Sequence, residues 1–472
     1  MVRTLATLFL LSQAAVDARH YAPVSDRPPP LAREFRGVWV AAVHNIDWPS
    51  AKGLSAATQQ AELRAILDKM VGLKLNALVF QVRPHFDALY ASPTEPWSPW
   101  LTGVMGRSPG YDPLAFCIKE AHARGIEVHA WFNPFRALSN VSQQASASHV
   151  TRSAPHLTKR YGSLVWADPA LPETRQRAMA AILDVVNRYD VDGVHIDDYF
   201  YPYPTPDRRP FPDGKSPAQR RKYVDDFVSS MYSAVKKRKD WVRVGISPFG
   251  IWRPGVPAGI EAGIDSYEHL AGDSRKWLKN GWADYLAPQL YWRISPQKQS
   301  FPTLLSWWRD QGSRPVWPGI ATSRIQSSDD PGRPASEIIN QVNLTRQIGK
   351  NWHGHLHWSA KALMTNRGGI AKQLASTYTQ PAAVPPMPWI SKRTPAAPGV
   401  SATLTANGTA ITWVPQADSA KIAIQAKTGG TWRTVQIAPA GRKSLTIPRA
   451  DAFAITALDR LGNASPPKVL GL

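Results

Sequence analysis

The stretch Val191-Asp192-Gly193-Val194-His195-Ile196-Asp197-Asp198-Tyr199-Phe200-Tyr201-Pro202-Tyr203-Pro204 decides how the rest of the chain is read. Val191, Val194 and Ile196 suit a buried strand, and Pro202 and Pro204 cannot continue one. The strand therefore ends in two carboxylates followed by a run of rings. Side chains alternate along a strand, so His195, Asp197 and Tyr199 are expected to share one face. Asp198 is expected on the other face unless the strand breaks. Asp197 is then the first choice for an acid aimed into a site. Asp198 either fastens the loop or acts as partner acid after a kink. Either Asp would also suit a turn cap.

Working outward, short apolar runs recur at 35–43, 77–82, 126–132, 191–197, 242–247, 285–291, 316–320 and 354–358. Helical patterns follow them at 57–73, 112–124, 172–189, 217–238, 273–280, 301–311, 336–348 and 370–378. Strand and helix alternating in this way predict an α/β fold, a (β/α)8 TIM-type barrel over residues 31–378. The connections after the strands are long and rich in aromatic and polar residues. Several before the strands are short, such as Arg124-Gly125 and Arg188-Tyr189-Asp190. In such barrels the site lies at the C-terminal strand ends, where Asp197 and Asp198 fall.

Residues 379–398 read as a Pro/Ala-rich linker, and 399–472 as a small β-sandwich of short alternating stretches. Ile455-Thr456 through Asp459-Arg460 to Gly462-Asn463-Ala464-Ser465 looks like the last strand of a fibronectin type III-like module. Residues 1–18, with Arg3 ahead of an apolar run and small residues near Ala18, resemble a secretory signal peptide. No Cys lies near that site, so a lipid anchor is not expected. No later run is long and apolar enough to span a bilayer.

The 472 residues carry a formal charge of +21, which favours anionic partners. No nucleic-acid motif stands out, and Lys236-Lys237-Arg238-Lys239 suits the end of a helix without any ligand. The 19 Trp include loop positions where flat rings suit sugars, although Trp is equally a core filler. The one cysteine, Cys117, excludes an intrachain disulfide and reads as a buried apolar side chain.

The other strand ends supply polar groups by the same alternation. Strand one runs into Asp47 and Trp48; strand two offers Gln81, Arg83, His85 and Asp87. Strand three ends in Asn133 and Arg136, and strand six in Gln289, Tyr291, Trp292 and Arg293. Glycoside hydrolysis ordinarily needs two carboxyl groups. Asp197 is one; for the second, Asp198, Asp87, Glu95, Asp47 and Asp273 all stay open. The candidate site is thus Asp197 and Asp198 for chemistry. Its binding residues are Asp47, Trp48, Arg83, Asp87, Asn133, Arg136, His195, Tyr199, Tyr201, Gln289, Tyr291 and Trp292. His353-Gly354-His355-Leu356-His357 could hold a metal but completes no known ligand spacing, so neither a metal nor a cofactor is expected.

Phe35-Arg36-Gly37-Val38-Trp39-Val40 and Asn45-Ile46-Asp47-Trp48-Pro49 resemble the opening of the bacterial glycosyl hydrolase-like 10 family, first catalogued as a domain of unknown function. Phe80 to Pro84, Glu95 to Ser98, His129 to Pro134, Asp192 to Pro204, Ser247 to Trp252 and Pro288 to Trp292 fit it in order. The resemblance implies an envelope glycosidase with a polysaccharide substrate. Some members cut denuded peptidoglycan, whose strands expose free lactyl carboxylates; Arg83, Arg136 and Arg293 would suit them. An Arg-Arg-x-Asn run common in the family reads Arg220-Arg221-Lys222-Tyr223 here. The strand-four motif also looks like that of family 18 chitinases, with Tyr199 where their acid stands. Asp197 matches their Asp that orients the substrate acetamido group. A hydrolase of another acidic or N-acetylated polysaccharide, or a non-catalytic glycan-binding protein, are the alternatives.

Overall fold

A computed structural model describes residues 20–349 and 352–472, so the expected signal peptide lies outside the described residues. Among the described residues no helix is long and apolar enough to cross a membrane.

Eight parallel strands form the centre: β1 (Phe35–Val40), β2 (Ala77–Arg83), β3 (Glu127–Phe132), β4 (Gly193–Ile196), β5 (Arg243–Ile246), β6 (Tyr285–Leu286), β7 (Gly319–Ile320) and β8 (Gly354–His357). They pair in the order β6-β5-β4-β3-β2-β1-β8-β7. Parallel bridges Leu286↔Val316 and Gln289↔Gly319 join the two edges and close the barrel. Every residue of β1 to β5 is buried, as a sheet covered on both faces requires. The main helices are α1 (Ala56–Gly72), α2 (Pro113–Ala123), α3 (Pro172–Arg188), α4 (Pro217–Arg238), α5 (Ser274–Lys279), α6 (Phe301–Arg309), α7 (Ala335–Ile348) and α8 (Ile370–Thr377). Helix α4 starts at a capping box, in which the Ser216 hydroxyl accepts from Gln219 N while the Gln219 side chain accepts from Ser216 N.

The ladders are shorter than the apolar runs that announce them. Strand β6 stops at Leu286, two residues before Pro288, which has no N–H to donate. Strand β4 stops at Ile196, one residue before the acid pair. Between β3 and α3 the chain builds an antiparallel three-stranded sheet, Arg136–Leu138, Leu164–Ala167 and Thr158–Tyr161, which no sequence pattern announced. It forms one wall above the barrel mouth.

Beyond the barrel, β9 (Gly399–Thr405), β10 (Gly408–Val414) and β13 (Ser444–Ile447) make one sheet. Strands β11 (Lys421–Thr428), β12 (Thr431–Pro439), β14 (Ala452–Leu458) and β15 (Lys468–Gly471) make a second. Ile411, Trp413, Ile422, Phe453 and Ile455 share their core. Ala22–Pro23 adds an edge strand beside β15, and the buried Tyr21 hydroxyl bonds Thr409 Oγ1 at 2.7 Å. The described chain therefore begins inside this C-terminal unit before it enters the barrel. The Pro/Ala-rich segment is held against the barrel rather than free: Asn76 donates to Ala382 O at 2.9 Å and Arg243 to Pro385 O at 2.9 Å. Lys421 meets Glu127 at 3.1 Å, and Arg460 meets Asp190 at 2.6 Å. The unit thus caps the N-terminal end of the barrel, opposite the acid pair.

Candidate active site

Both acids open on one cavity of about 750 Å³ at the C-terminal strand ends. Of the two expectations for Asp198, the structure takes the one in which the strand breaks: pairing ends at Ile196, so alternation no longer governs the next two residues and Asp198 also opens on the cavity. Asp197 Oδ2 accepts from Asn133 Nδ2 at 2.5 Å and from Trp131 Nε1 at 3.2 Å; its Oδ1 accepts from Tyr199 N at 3.2 Å. Asp198 Oδ1 accepts from Gln289 Nε2 at 3.0 Å, and its Oδ2 from the Tyr203 hydroxyl. Burial and the adjacent Asp198 charge push the Asp197 carboxyl up to about 7. Burial pushes Asp198 up as well, against the pull of Tyr203 and Gln289. Two adjacent buried carboxylates cannot both ionise cheaply, so the pair retains one proton near neutrality.

Rings form the walls. Trp358 lies 6.1 Å from Trp39 and 6.0 Å from Trp131, edge to face, and stacks toward Tyr291 at 6.5 Å. Tyr199 lies beneath the Arg136 guanidinium, 4.9 Å from its ring centroid. Arg136 and Arg324 both line the cavity. Such a site offers flat apolar faces, a proton and a charge at one point, which is what cleaving a glycosidic bond requires.

A layer behind the cavity fixes this arrangement. The Gln81 carbonyl accepts from Ala42 N and Val43 N, both at 2.9 Å, and its amide donates to Asn133 Oδ1 at 2.7 Å. His195 lies below the cavity, not on its wall. Trp39 Nε1 can only donate, so His195 Nε2 must accept that bond, at 3.2 Å. Its Nδ1 then carries the proton and donates to the Tyr285 oxygen at 3.0 Å, and Tyr285 donates to His129 Nδ1 at 2.8 Å. Burial holds His195 well below the usual histidine range, so it stays neutral.

Of the expected site residues, the cavity brings together Asp197, Asp198, Arg136, Tyr199, Gln289 and Tyr291, with Asn133 and His195 behind it. The others are corrected. Asp47 is spent on a loop, accepting from Ala41 N, Ser359 Oγ and Lys361 N. Trp48 is core, donating to Gln59 O and packed on Phe80. Arg83 is fully buried in a two-nitrogen pair with Glu95, 2.5 Å at its closest, which also removes Glu95 as second acid. Asp87 accepts from His85 N and lies off the cavity; burial pushes it up to about 6. Tyr201 packs on Phe211, and Trp292 on Phe249. Asp273 caps α5, and Arg293 is ion-paired with Asp330. His355 and His357 turn outward to share the Tyr378 hydroxyl. Among the described residues no group of three or more His, Cys, Asp or Glu could hold a metal ion.

Trp39, Trp131, Tyr203, Ser247 and Trp358 line the cavity and were not among the expected site residues. All lie on or just beyond barrel strands, a signal sufficient to find them. Arg324, in the short turn after β7, carried no signal.

A closed (β/α)8 barrel with an acid pair in a ring-walled cavity at its C-terminal end defines a glycoside hydrolase. The chain belongs to the glycosyl hydrolase-like 10 family, whose profile matches residues 34–330. It is 40% identical to glycosyl hydrolase YngK of Bacillus subtilis over 389 residues, 78% of this chain and 76% of that protein. It is 34% identical to glycosyl hydrolase DigH of Escherichia coli K12 over 325 residues, 61% of this chain and 73% of that protein. Among solved structures, the glycoside hydrolase domain of PgaB from Bordetella bronchiseptica aligns with TM-score 0.47 and 13% identity, covering 74% of this chain and 99% of that one.

Proposed function

We propose that this glycoside hydrolase is exported and cleaves peptidoglycan glycan strands that have lost their stem peptides. The observation that carries the reading is that Asp197 and Asp198 open side by side on one cavity walled by Trp39, Trp131, Tyr291 and Trp358. The two acids are neighbours on one strand end and do not face each other across a cleft. Attack on the anomeric carbon therefore falls to the substrate's own 2-acetamido oxygen, which requires an N-acetylated sugar at the cut. Asp197 accepts the acetamido N–H. That donor favours its ionised form, and the shared proton passes to Asp198. Asp198 gives the proton to the leaving glycosidic oxygen, so the bond from that oxygen to the anomeric carbon breaks as the acetamido oxygen closes on the carbon. Water then opens the resulting oxazoline, returning the proton to Asp198.

A charge of +21 supports an anionic polymer, and denuded strands carry one lactyl carboxylate on every second sugar. The apolar run behind Arg3 supports export. The C-terminal two-sheet unit is read as a fibronectin type III-like module. Purified protein is incubated with intact sacculi, amidase-treated strands and chitin oligomers, and the products are resolved by chromatography. Cleavage of the treated strands alone supports the proposal. Cleavage of other polysaccharides only, or binding without products, overturns it.

A further inference from the structure

We propose that Arg136 is a specificity-determining residue that binds a free carboxylate on the substrate and thereby rejects strands whose lactyl group bears a peptide. The inference rests on the strand-cleaving reading above and adds the group that selects among strands. Of the three arginines expected near the cleft, Arg83 is spent on Glu95 and Arg293 on Asp330. Arg136 is only 8% exposed, yet among the described residues no carboxylate pairs with it. Its Nε donates to Pro84 O at 3.3 Å and its Nη2 to Asn133 Oδ1 at 3.0 Å. Among the described residues its Nη1 has no hydrogen-bond partner, and the residue lines the cavity.

A buried guanidinium with no carboxylate in direct contact keeps unused donor capacity and charge, and an incoming anion fills it. Its planar fork matches a carboxylate, whereas the amide that joins a stem peptide to the lactyl group has no charge and turns an N–H toward the cation. A site built for one polar partner discriminates strongly against an analogue lacking it. Arg136 also acts through space on Asp197 and Asp198, favouring their ionised forms. A substrate carboxylate on Arg136 cancels that pull, so the correct strand helps the pair keep its proton.

The test compares amidase-treated strands with the same strands whose carboxylates have been coupled to methylamine. The measured quantity is the ratio of kcat/KM for free over methylamidated strands. Wild type is expected to favour the free form by about 30-fold, the scale for losing one partner of a desolvated charge pair. In Arg136→Gln the ratio falls to near one, and in Arg136→Lys, which keeps the charge without the fork, it takes an intermediate value. Thermal unfolding of both variants checks that they are folded. Equal losses on both substrates, leaving the ratio unchanged, would make Arg136 a structural residue and overturn the proposal. A wild-type ratio near one also overturns it, while cleavage of both strand forms leaves the broader reading standing. Failure to cut either form removes the broader reading itself.

Discussion

Asn133 joins the acid pair to the cation above it: its Nδ2 donates to Asp197 Oδ2 at 2.5 Å while its Oδ1 accepts from Gln81 at 2.7 Å and Arg136 at 3.0 Å. The two donors on Oδ1 settle which way the amide points. Asp197 is therefore aimed by a residue whose own orientation is fixed from two sides. Asn133→Leu removes all three bonds and leaves a buried acid with one donor fewer, a cost of roughly 1–3 kcal/mol. Expressed in the chemical step, that is about 5-fold to 150-fold in kcat. Steady-state kinetics on amidase-treated strands should show kcat falling far more than KM rises.

The shared proton sets the pH profile. Asp197 is pushed up to about 7 by burial and by Asp198, so the pair loses its last proton as pH rises through that value. The ratio kcat/KM, which reports the free enzyme, is expected to fall above about pH 7. An Asp198→Asn variant loses the neighbouring charge, so Asp197 should titrate lower, a shift readable by NMR of the labelled carboxyl.

The same shift appears in stability. A folded-state value above the unfolded Asp value of about 3.9 means that the native state binds more protons between the two. The native state is thus penalised progressively as pH rises from about 4 to 7. Asp197→Asn removes the penalty. Relative to wild type, this variant is expected to gain on the order of a few kcal/mol at pH 8 and little at pH 4, measured by denaturant unfolding at both.

The chain Trp39–His195–Tyr285–His129 supports the cavity from below. His195→Phe deprives the Trp39 N–H of its acceptor and Tyr285 of a donor. Each orphaned group costs roughly 1–3 kcal/mol in stability. Because Trp39 is also a cavity wall, KM should rise in the same variant. His195→Gln, which restores an acceptor, should recover part of both.

The barrel was legible because parallel strands buried on both faces appear as continuous apolar runs, and their order follows from strand–helix alternation. Asp197, Arg136 and Gln289 were legible because they follow those strands. The side on which Asp198 falls was left open by the sequence, because alternation holds only while pairing lasts, and pairing stops at Ile196. Arg83 and Trp48 were misread for a different reason. Alternation assigns a face but cannot show that Glu95, twelve residues on, consumes the guanidinium, or that Phe80 covers the indole. The docking of Tyr21 against β10 is a contact across 388 residues, and no local pattern encodes it.

The acid pair is tested most directly by Asp197→Asn on amidase-treated strands, with products followed by chromatography and binding by co-sedimentation. Turnover is expected to vanish while the strands still sediment with the protein. Full activity in Asp197→Asn would contradict the account.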